Sequence, residues 1–183
     1  MKTFDELLIE LGACKSFIKW VENKTTVEQI VKDCPRGHWL LWLASKIDLP
    51  IHKLTLAKAL CAKTVIHLMK DERSIKAVET AERFGRGECD SFELKDAANA
   101  ARSAARSAAF DLSDYAATAA YTSDTVDPTD GEAAYNAAYA AAAAYAAAGT
   151  DAKTENQLQT ADICREVLGK LIINRIYELR TIK

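Results

Sequence analysis

The stretch AANAARSAARSAAF, residues 97–110, decides the fold. Alanine is the best helix former, and neither proline nor glycine interrupts the run. On a helical wheel Lys95, Asn99, Arg102 and Arg106 make one stripe, with Ser113 further along. Leu94, Ala101, Ala105, Ala108, Leu112 and Tyr115 make another, the predicted core face. From Ala97 to Ala148 roughly half the residues are alanine. Small side chains let helix axes approach toward the short end of the usual ~8–10 Å. Each buried alanine removes little apolar area from water, so the core also needs Trp20, Trp39, Trp42, Phe84, Phe110 and the tyrosines.

Working outward, the remaining segments also read as helices. Thr3 and Glu6 form a capping-box pattern, and Gly12 ends that first helix. CKSFIKWVE is a short second helix. Thr25 or Thr26 caps TTVEQIVKDC, which must stop before Pro35. RGHWLLWLASKI follows, ending at Pro50. HKLTLAKALCAKTVIHLMK is expected to run unbroken to Lys70, with Leu56, Leu60, Ile66 and Leu68 inward and His67 a core histidine. DERSIKAVETAERF is expected to end at Gly85. Ser91 is expected to cap the long Ala-rich helix, and Asp130 a Tyr/Ala helix ending at Gly149. A last helix covers about Lys153 to Leu179. No segment alternates like a strand, and no fixed repeat is present. The expected fold is all-α: a compact bundle of about eight or nine helices with Ala-rich central helices. We expect one domain, residues 1–50 forming short helices packed on a 51–183 Ala-rich bundle.

The chain has 183 residues and a formal net charge of −2. That balance speaks against general nucleic-acid binding, which uses a basic excess. Its five cysteines, Cys14, Cys34, Cys61, Cys89 and Cys164, form no CxxC pair. They read as reduced thiols of a cytoplasmic protein. No signal peptide is visible, and the uncharged run at 133–149 reads as a buried helix rather than a membrane span.

Four stretches could carry function. Arg102 and Arg106 are one turn apart; like-charge repulsion there costs only a few tenths of a kcal/mol, so a solvated stripe suffices, but paired guanidinium forks also suit a carboxylate or phosphate. In RFGRGECD (83–90) two glycines flank Arg86 shortly before a helix start, a setting that can gather N–H groups around an anion. CPRGHWLLWL (34–43) places Cys34 four residues before His38 without a second such pair, and its apolar helix is unlike a DNA-reading one. Asp124, Asp127, Asp130 and Glu132 form an acidic loop without EF-hand order, open to a cationic protein surface. With three histidines and no nucleophile elbow or HExxH, the sequence gives little support to catalysis, and it calls for no cofactor or metal.

Taken in order, CPRGHWLLWLASK, LAKALCAKTVIHLM, SIKAVETAERFGRGE, the Ala-rich helices and QTADICREVL resemble the immunity proteins of bacterial polymorphic-toxin systems. The similarity is to the immunity protein 5-like group, which also occurs among phage proteins. It spans about Thr25 to Leu168. Arg36, Trp39, Arg83, Arg86, Gly87 and Glu88 stand at characteristic positions; His38 stands where an acidic residue is expected. The resemblance implies an all-helical cytoplasmic protein that neutralises something by binding it.

The first expectation is therefore a non-catalytic immunity or counter-defence protein that inhibits a toxin or defence effector. The second is a sponge that sequesters a small phosphorylated nucleotide signal, its phosphates held by Arg86, Arg102 and Arg106 and its base stacked on Tyr115, Tyr121 or Tyr135. The third is an oligomerisation module joined through Ala-rich helices. The candidate binding residues are Arg36, Arg83, Arg86, Lys95, Asn99, Arg102, Arg106, Tyr115 and Tyr135, with Arg86 expected to converge on Lys95 and Asn99.

Overall fold

Local side-chain caps start four of the eight described α-helices. In the computed structural model, which describes residues 3–69, 71–107 and 150–181 (backbone alone at Leu68, 102–107 and 150–153), the first helix is α1, Phe4–Glu10. Its capping box is complete: the Glu6 N–H donates to Thr3 Oγ1 at 3.3 Å and the Thr3 N–H to Glu6 Oε2 at 2.8 Å. Gly12, at φ +80°, turns the chain after it. Helix α2 spans Lys15–Val21. Thr26 caps α3, Val27–Asp33, by accepting the Gln29 N–H at 3.1 Å. Helix α4 is Gly37–Lys46 and α5 is Ile51–Lys63. A short 3-10 turn, Ile66–Leu68, leads to α6, Glu72–Arg86, and α7, Ser91–Ser107. The last, α8, is Thr150–Thr181. Every regular element among the described residues is helical, so the protein is an all-α bundle with eight described α-helices.

Three boundaries differ from expectation, each for a local reason. Helix α5 stops at Lys63, because Thr64, Val65 and Ile66 are a run of stiff β-branched residues. The Thr64 hydroxyl also donates to the Cys61 carbonyl at 2.7 Å, competing with the ladder. Leu56 and Leu60 are only half-buried, Leu54, Ala57 and Cys61 form the inner face, and His67, beyond the helix end, is exposed rather than core. Helix α6 runs through Gly85 and ends at Gly87, whose φ is +79°. The Gly87 N–H donates to the Phe84 carbonyl and the Glu88 N–H to the Arg83 carbonyl, both at 2.9 Å, a Schellman cap. Asp90, not Ser91, caps α7: its Oδ1 accepts the N–H groups of Phe92 and Glu93 at 2.9 Å each.

Helix α8 is the spine. It packs on α3, α4 and α5 and buries Thr160, Ala161, Cys164, Leu168, Ile172 and Ile176 at three- and four-residue spacing. With them Phe17, Trp39, Leu40, Leu43, Ile47 and Leu54 make the large core. The α4–α8 seam is close because residue 37 is glycine: a Cβ there would lie 2.6 Å from the Thr160 carbonyl carbon. Gly85 does the same between α6 and α5, where a Cβ would lie 2.5 Å from Leu56 Cβ. Beyond α5 the layers are α6 and then α7; Phe84 and Leu94 pack together near their turn, and Ala77, Ala97 and Ala101 make a small-residue contact further along. No helix among the described residues is long and apolar enough to cross a membrane.

Candidate functional site: the α6–α7 face

Helix α7 has the predicted wheel as far as its side chains are described. Leu94, Ala98 and Ala101 are buried, whereas Lys95 and Asn99 are exposed. Arg102 and Arg106 lie on the α7 backbone, with side chains outside the described residues. Tyr115, Tyr135 and the acidic loop from Asp124 to Glu132 also lie outside them, as do Tyr121, the Asp130 cap and the 133–149 run.

Arg83 and Arg86 are held by the protein's own acids. Arg86 donates from Nη2 and Nε to Glu82 Oε1, at 2.7 and 3.3 Å. Glu82 also accepts from Lys63 Nζ at 2.6 Å, and this hydrogen bond is the chief reason its carboxyl sits below the usual range. Arg83 reaches across the interhelix turn to Glu93 at 3.2 Å. A phosphate approaching either guanidinium would meet the neighbouring carboxylate, whose charge opposes its own. Arg86 does not converge on Lys95 and Asn99. It lines a shallow groove of about 440 Å³ with Glu79, Glu82, Arg83 and Glu88, and neither Lys95 nor Asn99 is among the lining residues. The sequence missed this because a wheel assigns a face but not the element opposite it.

A second cleft, about 390 Å³, runs between α6 and α7. Arg73, Lys76, Thr80 and Arg83 form its α6 wall; Phe92, Glu93 and Asp96 stand on the α7 side over a floor of Ala97 and Ala100. Phe92 is 69% exposed, the most exposed of the large apolar side chains among the described residues. Asp90 caps the turn that carries it, and two residues before Leu94 it lies about 200° round the helix, away from the Leu94–Ala101 core face. Arg73 is clamped by Asp71, with Nη2 to Oδ2 at 2.7 Å and Nε to Oδ1 at 2.9 Å, which pulls the Asp71 carboxyl down to about 2. The cleft thus has one exposed aromatic on its α7 wall and charges of both signs around it. Arg73, Lys76, Thr80 and Phe92 were not singled out from sequence. The spacing of 73, 76, 80 and 83 along one face of α6 was the available signal.

Arg36 belongs to a different feature. It stands at the N-terminus of α4 with its guanidinium 4.7 Å from the Trp39 ring, and Trp39 stacks on Phe17 at 4.9 Å. Behind it, burial first and the Arg36 charge second push the His38 imidazole down to about 4. Burial pushes the Cys34 thiol up to about 11. Both groups are neutral parts of the core, and no cluster of three or more metal-ligating side chains occurs among the described residues.

No family model matches the chain, and neither a curated protein nor a solved structure matches it.

Proposed function

We propose that this chain is a non-catalytic neutralising protein of microbial conflict, which binds a toxin or defence effector protein and blocks it through the α6–α7 face. One observation carries the choice of a protein target: Phe92 stands exposed on the α7 wall of a cleft whose lining carries both charge signs. Protein interfaces are built this way, with an aromatic anchor inside a polar ring. A phosphorylated ligand fits less well, since Arg83 and Arg86 already hold Glu93 and Glu82. The likeness to immunity proteins supplies the class of target, and the cytoplasm is where such a protein meets its effector.

The test is retention of bacterial lysate proteins on the immobilised chain, compared with Phe92→Asp and with Lys170→Glu on the distant α8. A protein retained by wild type and by Lys170→Glu, lost with Phe92→Asp, and inhibited one-to-one by the free chain supports the reading. Equal retention by Phe92→Asp overturns it. So does a nucleotide seen bound to the purified chain by native mass spectrometry when no protein is retained.

A further inference from the structure

Two thiols outside the candidate site are placed for chemistry that the binding function does not use. Cys61 on α5 and Cys164 on α8 are 103 residues apart in sequence, yet their Sγ atoms are 3.8 Å apart in the structure. Both side chains are wholly buried. Each also has a carbonyl in reach across the seam, Cys61 that of Thr160 at 3.8 Å and Cys164 that of Gly37 at 3.5 Å. A disulfide requires sulfurs about 2.05 Å apart, so the two sulfurs, already in contact, must close by a little under about 2 Å to bond.

We propose that Cys61 and Cys164 form a redox latch, closing under peroxide into a disulfide that pins α8 to α5. The step balances with one peroxide per pair. One thiolate attacks a peroxide oxygen, giving a sulfenic acid and, after proton transfer, water. The second thiolate attacks the sulfenic sulfur, forms the S–S bond and releases a second water. The two sulfurs lose two electrons and the peroxide gains them. In the closed bundle the reaction is blocked, because the oxidant has no access and burial together with the neighbouring Cys61 thiol holds Cys164 in its protonated form. The latch therefore closes only through openings of the α5–α8 seam, recording oxidant and loosening together. Once closed it ties the spine helix to α5 across a loop of more than a hundred residues, the length at which a cross-link constrains the unfolded chain most.

The test treats the full-length protein with hydrogen peroxide, maps thiols by mass spectrometry after alkylation in denaturant, and records thermal unfolding. The expected product has lost two hydrogens and yields a linked peptide pair containing Cys61 and Cys164. Its unfolding midpoint rises by roughly 5–10 °C and returns on addition of dithiothreitol. Cys164→Ala is expected to abolish the link and the rise. If that variant does not fold, the dithiothreitol reversal in the wild-type chain decides alone. The proposal is overturned if both thiols remain alkylatable while exposed Cys14 is oxidised, if Cys164 is found linked to Cys34 instead, or if the link forms without raising the midpoint.

Discussion

The α4–α8 seam and the α6–α7 face are built from the same helical material and put to opposite uses. At the seam Gly37 lets two backbones meet, and Phe17, Trp39, Leu40 and Leu168 fill the space around them. At the face the floor is alanine, the long side chains stand outward, and the charges are exposed ion pairs. Large apolar groups that leave water stabilise the bundle; groups held at the surface by a cap or a carboxylate contribute little to it and stay available to a partner. A residue's region should therefore predict which measurement its substitution moves.

Two phenylalanines give the sharpest contrast. Phe17 is 1% exposed and stacked on Trp39; Phe92 is 69% exposed. Phe17→Ala is expected to cost about 4 kcal/mol of unfolding free energy in urea titration. Phe92→Ala is expected to change it by less than about 0.5 kcal/mol while losing the captured protein. Comparable losses of stability would show that Phe92 belongs to the core. The glycines repeat the contrast at lower amplitude. Gly37→Ala drives a methyl into the Thr160 backbone and should cost about 3 kcal/mol. Gly12→Ala meets open space, so its cost is only the left-handed backbone strain, about 1 kcal/mol.

Acid should attack the seam before the face. The folded His38 imidazole sits at about 4, below its ordinary value of 6.5. The unfolded chain therefore binds the proton first, and stability falls as pH drops below about 6.5, levelling off below about 4. The full loss from this group is about 3 kcal/mol. Urea titrations at pH 7.5, 5.5 and 4.5 should show the decline, and His38→Gln should flatten it. An unchanged slope in that variant would assign the decline to other groups.

The two regions were unequally legible in the sequence. Thr3 with Glu6, and Thr26 before α3, are caps made by residues a few positions apart, so the local sequence contains the whole interaction. The choice between Gly85 and Gly87 as the end of α6 is not local. Either glycine could turn the chain, and Leu56 on α5 requires the first to stay helical because no Cβ fits against it. The glutamate four residues before Arg86 was readable as a helical ion pair. Lys63 beside that glutamate, and Glu93 beside Arg83, come from other helices and needed the fold. His38 entered the sequence reading beside Cys34 as a weak metal motif; packing made both neutral core groups. Phe92 was missed because helical spacing identifies what faces the core, and this residue matters for facing away from it.

The smallest expected effect concerns the arginines that first drew attention. Arg86 is about half exposed, and its pair with Glu82 is of the surface kind whose contribution to stability is small. Arg86→Ala should leave the unfolding midpoint unmoved. Glu82→Gln unpairs Lys63 as well, and should cost no more than about 1 kcal/mol, shrinking further in high salt. The same variant also frees the Arg86 guanidinium from its carboxylate. If the groove were built for phosphate, Glu82→Gln should gain affinity for inorganic pyrophosphate in calorimetry, with Arg86→Ala abolishing the gain. On the protein-binding reading neither variant binds pyrophosphate, and both keep the partner that Phe92 anchors. Pyrophosphate binding lost in Arg86→Ala would move the functional centre from the Phe92 cleft to the arginine groove beside it.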